Sequence, residues 1–434
     1  MIEYFHSCPR SGGEKRIQME QENNKKWDTT KIVLAITAGV AVLALVGLLV
    51  WMVMSGMITV NVGKPEETTP VETGDSYAAT DEEAVEANKN IVAIVDGLEL
   101  TNGQLQVHYW STVYNFLNDY GAYASYFGLD VTKPFSEQVC TMSEDGGTWE
   151  EFFLEQALDT WAQMATISIM AEEDGFSLSE DDVKNLDAII EGYESSAADY
   201  GYEDLTDMVD QEMGKGTTAE DYITYVKLDY LCSAYYTHLI DKNQPTDAQI
   251  EEYYAANEAA VKSAGYGKDA GKLVDVRHIL IKPEGGVLNS DGRTYTYTDA
   301  QWEDGRQKAQ VVYDLWLNGD KDEESFIELA KKHSADSSAA DGGLIANTVK
   351  GQTVEEFDTW IFADGREHGD HTMVKTVFGY HIMFYLDAED AWIRYCKSKY
   401  SSDIVSAEIE KFAESFTIET KYDQIAIGQV DLAG

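Results

Sequence analysis

Hydrophobic residues follow three different patterns along the chain. Residues 32–54 form an apolar run without a charged side chain. Residues 90–268 mostly show helical spacing, in which apolar side chains recur every three or four positions. Residues 272–388 mix short strand-like runs with amphipathic stretches, and residues 389–434 begin with another helical pattern. These changes predict an α+β protein with a mostly helical part and a mixed part.

The apolar run of residues 32–54 predicts a single transmembrane helix. Its 23 residues suffice for a hydrocarbon core of about 30 Å. Residues 1–31 carry six Lys and Arg, whereas acids dominate after the run, so we expect a cytoplasmic segment 1–31 and an extracytoplasmic remainder. A cleaved signal peptide remains an alternative, although its apolar region is usually shorter. Translation from Met19 instead of Met1 also stays open.

Local signals predict the elements that follow. Residues 55–89, rich in Thr, Glu, Pro and Gly, read as a flexible acidic linker. Residues 91–95 and the turn pair Asp96-Gly97 predict a strand followed by a tight turn. A hydroxyl residue followed three positions later by an acid or Gln marks a helix start. This capping-box pattern begins at Thr148, Ser179, Thr218, Thr246 and Thr298.

Two sets of side chains in the exported part have both a structural and a functional interpretation. The aromatic set, spaced as on a helix, predicts core packing, with a binding groove as the alternative. It comprises Tyr222, Tyr225, Tyr230, Tyr235 and Tyr236. The cysteines lack the spacing of a redox or metal site, which predicts buried thiols. They are Cys140, Cys232 and Cys396.

Composition excludes several classes of protein. The chain has 434 residues, 78 Asp and Glu against 32 Lys and Arg, and a formal net charge of −46. Nucleic-acid binding is therefore not expected, because phosphate contacts need a basic surface. Four cysteines in this length do not make a disulfide-built scaffold.

Four ordered motifs carry a family resemblance. They are V-R-H-I-L-I at 276–281, F-I-E-L-A-K-K-H-S-A-D-S-S-A-A-D-G-G-L at 326–344, G-Q-T-V-E-E-F at 351–357 and T-V-F-G-Y-H-I at 376–382. The region resembles the parvulin family of peptidyl-prolyl isomerases. The whole chain resembles extracytoplasmic foldases of the PrsA/SurA type. The resemblance implies a helical chaperone domain at 90–268, a parvulin domain at 272–388, and a segment 389–434 that packs with the chaperone domain.

The resemblance also assigns site residues. It implies three catalytic residues: His278, Asp336 and His381. It implies a substrate-binding set of Leu344, Thr353, Phe357, Thr376 and Phe378. Two positions depart from the family pattern, since Thr353 replaces a methionine and Leu344 follows Gly-Gly where the family has an acid. No cofactor and no metal are expected.

The chemistry of the residues is compatible with this resemblance. Rotation about an X–Pro bond is slow because amide resonance must be lost. An apolar pocket favours the twisted amide, which has less charge separation than the planar form. Strand alternation places His278 with Val276 and Leu280, and His381 with Met383 and Tyr385. The histidines are then either catalytic or scaffolding, and Asp336 either acts on substrate or caps a loop.

These observations predict a membrane-anchored prolyl isomerase that assists the folding of exported proteins. Its partners would be unfolded polypeptides with X–Pro bonds, and the acidic exterior would suit cationic ones. The alternative is a holdase chaperone whose parvulin domain is weakly active or inactive, as the departures at Thr353 and Leu344 suggest. A homodimer is possible, although no residue requires it.

Overall fold

The computed structural model describes residues 76–143 and 146–432. The predicted cytoplasmic segment 1–31 and transmembrane run 32–54 lie outside the described residues, as does most of the predicted linker 55–89. Within the described part of the chain, no helix is long and apolar enough to cross a membrane. The α+β fold class is confirmed by the mixture of helices and sheets.

Helices predominate in the first part of the described residues, and helices and strands are mixed after residue 271. The helices are α1 Asp81–Ala87, α2 Asn102–Tyr120, α3 Trp149–Glu173, α4 Glu180–Asp199, α5 Leu205–Glu212, α6 Ala219–Lys242, α7 Asp247–Ser263, α8 Asp299–Leu317, α9 Glu323–His333, α10 Glu355–Ile361 and α11 Ala391–Ala413. The strands are β1 Ala78–Ala79, β2 Ile91–Val95, β3 Leu98–Thr101, β4 Lys272–Ile281, β5 Val287–Leu288, β6 Tyr295–Thr296, β7 Leu344–Thr348, β8 His371–Lys375, β9 Tyr380–Asp390, β10 Ile418–Thr420 and β11 Ile427–Gly428.

The predicted helix starts are confirmed. In each capping box the hydroxyl side chain accepts from the backbone N–H three residues later, and that residue's side chain accepts from the cap's N–H. All five predicted boxes are present, at Thr148, Ser179, Thr218, Thr246 and Thr298. They satisfy N–H groups that would otherwise lack partners at the first turn. The predicted turn at Asp96 and Gly97 is also present, with both residues at positive φ between β2 and β3.

The chain divides into two compact units. Unit 1 contains the described residues up to Asn243 together with those from Ile404 onward, and unit 2 is Gln244–Asp403. The sequence-based limits put α7 in the helical domain. In the structure α7 lies in unit 2, where its apolar side chains cluster with those at the start of α11. This cluster contains Ile250, Tyr254, Val261, Trp392 and Cys396.

Unit 1 is completed by segments from both sides of unit 2. Strand β10 pairs antiparallel with β2, and β11 pairs parallel with β1. Side chains of α2 bind the backbone of the β11 segment: Asn102 Oδ1 accepts from Ala426 N at 2.9 Å, and Gln106 Oε1 accepts from Gly428 N at 2.8 Å. Asn102 and Gln106 lie one helical turn apart along α2. The length of that turn is close to the length of two residues in an extended strand, so each side chain reaches one of two alternate residues.

The tyrosine set of α6 contributes to the core of unit 1. Tyr222 and Tyr235 are buried, and Tyr225, Tyr230 and Tyr236 are half-buried against core clusters of this unit. This confirms the core interpretation of the set. The three predicted buried thiols, Cys140, Cys232 and Cys396, are also confirmed as free and buried.

Unit 2 is built on an antiparallel sheet with the order β7-β4-β9-β8. One face packs against α8 and α9 through a core that includes Ile279, Trp316 and Phe326. The other face packs against α10 through Val276, Met383 and Phe357, among others. The strand period of two separates these faces, so neighbouring residues of β4 and β9 enter different cores. His278 and His381, which the resemblance assigns to the site, belong to the face that α10 covers.

A buried acid in α6 makes a stability prediction. Asp229 is buried, its Oδ2 has no hydrogen-bond partner among the described residues, and burial raises its pKa to about 7. The pKa of an Asp side chain in the unfolded state is near 3.9, so the folded state holds the proton of Asp229 more tightly. The free energy of unfolding should therefore fall as pH rises from about 4 to about 7, by at most about 1.4 kcal/mol per pH unit.

Urea unfolding of Asp229→Asn at pH 5 and pH 8 tests this expectation. The variant should gain stability relative to the unsubstituted chain on going to pH 8, because it cannot ionise. Asp241→Asn, at an exposed position of the same helix, is the matched control and should show no such pH-dependent gain. An equal pH response of both variants would contradict a buried neutral Asp229.

Candidate active site

Two buried histidines meet at the centre of the unit 2 sheet. His278 pairs with Met383 and His381 pairs with Leu280 across β4 and β9, so the histidines are diagonal neighbours on one face. Their Nδ1 atoms lie 2.9 Å apart, and the ring planes are inclined by only 13°. Both side chains are almost fully buried. The pair therefore forms an internal hydrogen bond between two imidazoles.

The hydrogen-bond chain continues beyond both histidines. On one side, His381 Nε2 lies 2.8 Å from Thr376 Oγ1, and Thr376 Oγ1 accepts from Phe378 N at 3.1 Å. On the other side, His278 Nε2 lies 3.3 Å from both Asp336 Oδ1 and Ser338 Oγ. The hydrogen-bond chain thus runs from the buried hydroxyl of Thr376 to the carboxylate of Asp336.

The number of available protons fixes the direction of donation along this hydrogen-bond chain. A carboxylate only accepts hydrogen bonds, so His278 must carry its proton on Nε2. A neutral His278 then accepts at Nδ1, which requires His381 to donate from Nδ1 and to accept at Nε2. Thr376 donates its hydroxyl proton to that nitrogen. Every ring nitrogen of the pair and the Thr376 hydroxyl then have a hydrogen-bond partner with both imidazoles neutral.

The pKa shifts of His381 and Asp336 agree with this arrangement. Burial, with a further contribution from neighbouring His278, lowers the pKa of His381 to about 3. The hydrogen bond from His278 holds the pKa of the Asp336 carboxyl well below its usual range, and the bonds from Ser338 add to this effect. His381 is therefore neutral and Asp336 ionised at neutral pH.

Local backbone contacts place Asp336 beside β4. Ala335 N donates to Leu280 O at 2.8 Å, while Ser334 Oγ accepts from Leu280 N at 3.0 Å. Asp336 caps the 3₁₀ turn Ser337–Asp341, since its Oδ1 accepts from Ser338 N at 3.0 Å and from Ser338 Oγ at 2.7 Å.

The Asp336 carboxylate keeps one oxygen available. All its contacts within the described residues use Oδ1, and its side chain is 28% exposed, against 4% for His278. Asp336 is thus a turn cap that also presents Oδ2 outward. The capping interpretation that the sequence left open is therefore observed for Oδ1, and action of Asp336 on a substrate stays a prediction.

The turn after Asp336 approaches β4 very closely. His278 N donates to Gly343 O at 2.8 Å, and a Cβ on Gly343 would lie only 2.1 Å from His278 O. Gly343 also has φ +75°, which other residues rarely adopt. Arg277 fixes the turn from the opposite face of β4, with Nη1 donating to Asp341 O at 2.7 Å and Nε to Glu323 at 2.8 Å.

Aromatic side chains cover the histidine pair. The Phe357 ring of α10 stands edge-on to both imidazoles, with centroids 5.4 Å from His278 and 5.5 Å from His381. Phe378 is half-buried in the turn between β8 and β9, beside Thr376. Thr353 lies just before α10, and its buried Oγ1 has no hydrogen-bond partner among the described residues.

The register of β7 against β4 bears on the predicted placement of Leu344 in the substrate pocket. Leu344 pairs with Arg277, whereas Ile345 pairs with Val276. Directly paired residues share a face, so Leu344 lies on the side of β4 away from His278. Ile345 instead packs in the cluster that contains Val276 and Phe357. A shift of one residue reverses the face of a strand side chain, and Ile345 is the better candidate for the pocket wall.

The structure therefore brings together most of the residues predicted from sequence. His278, His381, Asp336, Thr376 and Phe357 form one connected cluster. Three contributors were missed: Ser338, Arg277 and Ile345. The spacing Asp336-x-Ser338, typical of a side-chain cap, was the available signal for Ser338. No local signal identifies Arg277, because its partners are distant in sequence.

Parts of this chain are similar to known proteins. Residues 261–388 match the family described as PPIC-type PPIASE domain. The foldase protein PrsA of Exiguobacterium sibiricum is 41% identical over 66 residues, 15% of this chain and 22% of that protein. PrsA of Staphylococcus aureus strain bovine RF122 is 30% identical over 199 residues, 45% of this chain and 50% of that protein. The crystal structure of PrsA from Bacillus subtilis is 21% identical, with a TM-score of 0.32, covering 65% of this chain and 93% of that one.

The sheet, the histidine pair and the family match together identify residues 261–388 as a parvulin-type peptidyl-prolyl isomerase domain. The chain that carries this domain is PrsA-like, by its similarity to the foldase proteins of Exiguobacterium and Staphylococcus. It spans about half the length of the Staphylococcus relative and less of the Exiguobacterium one.

The direction of the hydrogen-bond chain is measurable by NMR. We expect His381 to be the Nδ1–H tautomer and His278 the Nε2–H tautomer, as reported by their ring ¹⁵N shifts. His381 should remain neutral on acidification until the pH approaches 3. A His381 proton on Nε2 at neutral pH would contradict the proposed direction.

Proposed function

We propose that this protein is a peptidyl-prolyl cis–trans isomerase that acts as a foldase for exported polypeptides. The observation that carries the proposal is the continuous chain from Thr376 through the two histidines to the partly exposed carboxylate of Asp336. Its substrates would be unfolded or partly folded chains with X–Pro bonds. The family match of residues 261–388 supports the reaction type.

The reaction needs no covalent intermediate. The X–Pro amide has a rotation barrier of about 18–20 kcal/mol because twisting removes resonance. In the planar amide the carbonyl oxygen is partly negative, and this charge decreases as the bond twists. Asp336 Oδ2, placed near that oxygen, would destabilise the planar form more than the twisted one. Apolar walls at Phe357, Phe378 and Ile345 would hold the proline ring and exclude water.

In this proposal the histidines are positioning residues. They are almost fully buried, so they act through their neighbours and not by contact with substrate. His278 holds Asp336 ionised and oriented through Nε2, and His381 with Thr376 fixes the tautomer of His278. Asp336 is then the catalytic residue of the three predicted from sequence.

Substitution of Asp336 tests the proposal. Asp336→Ala in the full chain should lower kcat/KM for isomerisation of X–Pro peptides at least about tenfold, a loss of about 1.4 kcal/mol of transition-state stabilisation. Asp336→Asn keeps an oxygen for Ser338 and His278 while removing the charge, and should show most of the same loss. Exchange spectroscopy by NMR measures both rates.

Asp341→Asn is the matched control for these variants. Asp341 is an exposed carboxylate in the turn that Asp336 caps, so its neutralisation should leave the rate near that of the unsubstituted chain. An unchanged rate in folded Asp336→Ala would show that the carboxylate is not catalytic. A lower isomerisation rate in Asp336→Ala but not in Asp336→Asn would assign Asp336 a purely positional role.

A holdase with a weakly active parvulin domain is the second candidate. It is favoured by Thr353, whose buried hydroxyl lacks a partner where the family has a methionine. Thr353→Met should then raise kcat/KM by restoring an apolar wall. Two results together would favour this candidate. The unsubstituted chain should show negligible isomerisation, and both it and Asp336→Ala should suppress the aggregation of an unfolded client protein.

We also propose that the protein is anchored in the cytoplasmic membrane by residues 32–54, with its N-terminus inside and residues 76–432 outside. The support is the apolar run and the basic residues that precede it. A homodimer remains a prediction that sedimentation of the purified chain would test. Protease treatment of intact protoplasts should digest the region after the run while sparing residues 1–31.

A further inference from the structure

Unit 1 carries an exposed aromatic surface that the isomerase proposal does not use. From the last residue of α2 to the loop before α3, the chain presents five large apolar side chains to solvent, which we call the tyrosine patch. Tyr126 is 90% exposed and Tyr123 is 64% exposed. The complete patch is Tyr120, Tyr123, Tyr126, Val139 and Met142. Single exposed apolar residues are ordinary, whereas a cluster of them marks an interaction surface.

The patch rests on an ordered aromatic layer. Tyr120 contacts Phe116 and Phe127, with ring centroids at 5.3 and 6.2 Å, and Phe116 contacts buried Trp149 at 5.3 Å. Thr141 Oγ1 donates to Phe127 O at 2.7 Å and joins the second part of the patch to the first. Of the two most exposed rings, Tyr126 contacts the same layer, with its centroid 6.5 Å from that of Phe127.

The charge around the patch is strongly negative. Residues 76–243 contain 34 Asp and Glu but only six Lys and Arg. Within the segment 119–143, Lys133 is the only basic residue, and its Nζ is bound to Asp130 at 2.8 Å. Asp119 and Glu137 are exposed in the same segment. A polypeptide that docks here would therefore be attracted by its own positive charges.

We propose that the tyrosine patch binds cationic, unfolded polypeptide segments independently of proline. Lys and Arg side chains would stack on the Tyr faces and meet the surrounding carboxylates, while aliphatic and aromatic residues contact Val139 and Met142. This inference rests on the proposed role with unfolded chains, but it does not depend on the isomerase step. It names a second contact site for the same clients, on residues separate from Asp336 and the histidines.

The test uses the full chain and labelled, proline-free peptides. Fluorescence anisotropy would compare a peptide of Arg, Tyr, Ser and Gly with a version in which every Arg is Glu. The Arg peptide should bind and the Glu peptide should not. Tyr123→Ser with Tyr126→Ser should weaken binding about five- to thirtyfold, the effect of losing two exposed cation–π contacts. Binding should also weaken as salt is raised.

Two controls separate this proposal from its alternatives. Val183→Ser removes an exposed apolar residue elsewhere in unit 1, on α4, and should leave binding unchanged. Asp336→Ala should also leave it unchanged, so that failure of the isomerase proposal and failure of this one are distinguishable. Equal binding by the double Tyr variant and the unsubstituted chain, or equal binding of the Arg and Glu peptides, would overturn the proposal.

Discussion

The hydrogen bond between the Nδ1 atoms of His278 and His381 is the contact on which the site depends. Two neutral imidazoles can share one such bond only if one donates and the other accepts. That choice sets the protonation of the outer nitrogens, and so the roles of Thr376 and Asp336. The register of β4 against β9 fixes the separation of the rings, and the close approach of Gly343 fixes the turn that carries Asp336.

The sequence predicted elements whose causes are local. Capping boxes, the turn at Asp96 and Gly97, and the alternation that puts His278 with Val276 depend on spacings of a few residues. The motifs also located the histidines, Asp336 and Thr376. The resemblance assigned Leu344 to the pocket, whereas its pairing with Arg277 puts it on the other face of β4. That register depends on pairing partners far along the chain, and a shift of one position decides the face. The bonds of Arg277 to Glu323 and Asp341 were unpredictable for the same reason.

The two units use charge differently. In unit 2 several cations hold structure together: Arg277 joins β4 to the turn before β7, and Arg394 binds Asp275 at 2.8 Å and Asn347 at 2.9 Å. In unit 1 acids greatly outnumber bases, so most carboxylates have no cation to bind. Its stability therefore depends mainly on apolar packing and on capping carboxylates such as Glu151 and Asp221. The excess charge is available to partners.

The pairing of β10 with β2 implies an order of assembly. Ile418 and Val95 are partners although they lie more than 300 positions apart. Closing such a loop is entropically unfavourable, and each halving of its flexible length recovers about 0.6 kcal/mol. Folding of unit 2, which is an insertion within unit 1, removes about half of that length. The inserted unit can thus become structured first, and unit 1, whose segments precede and follow it in sequence, closes last.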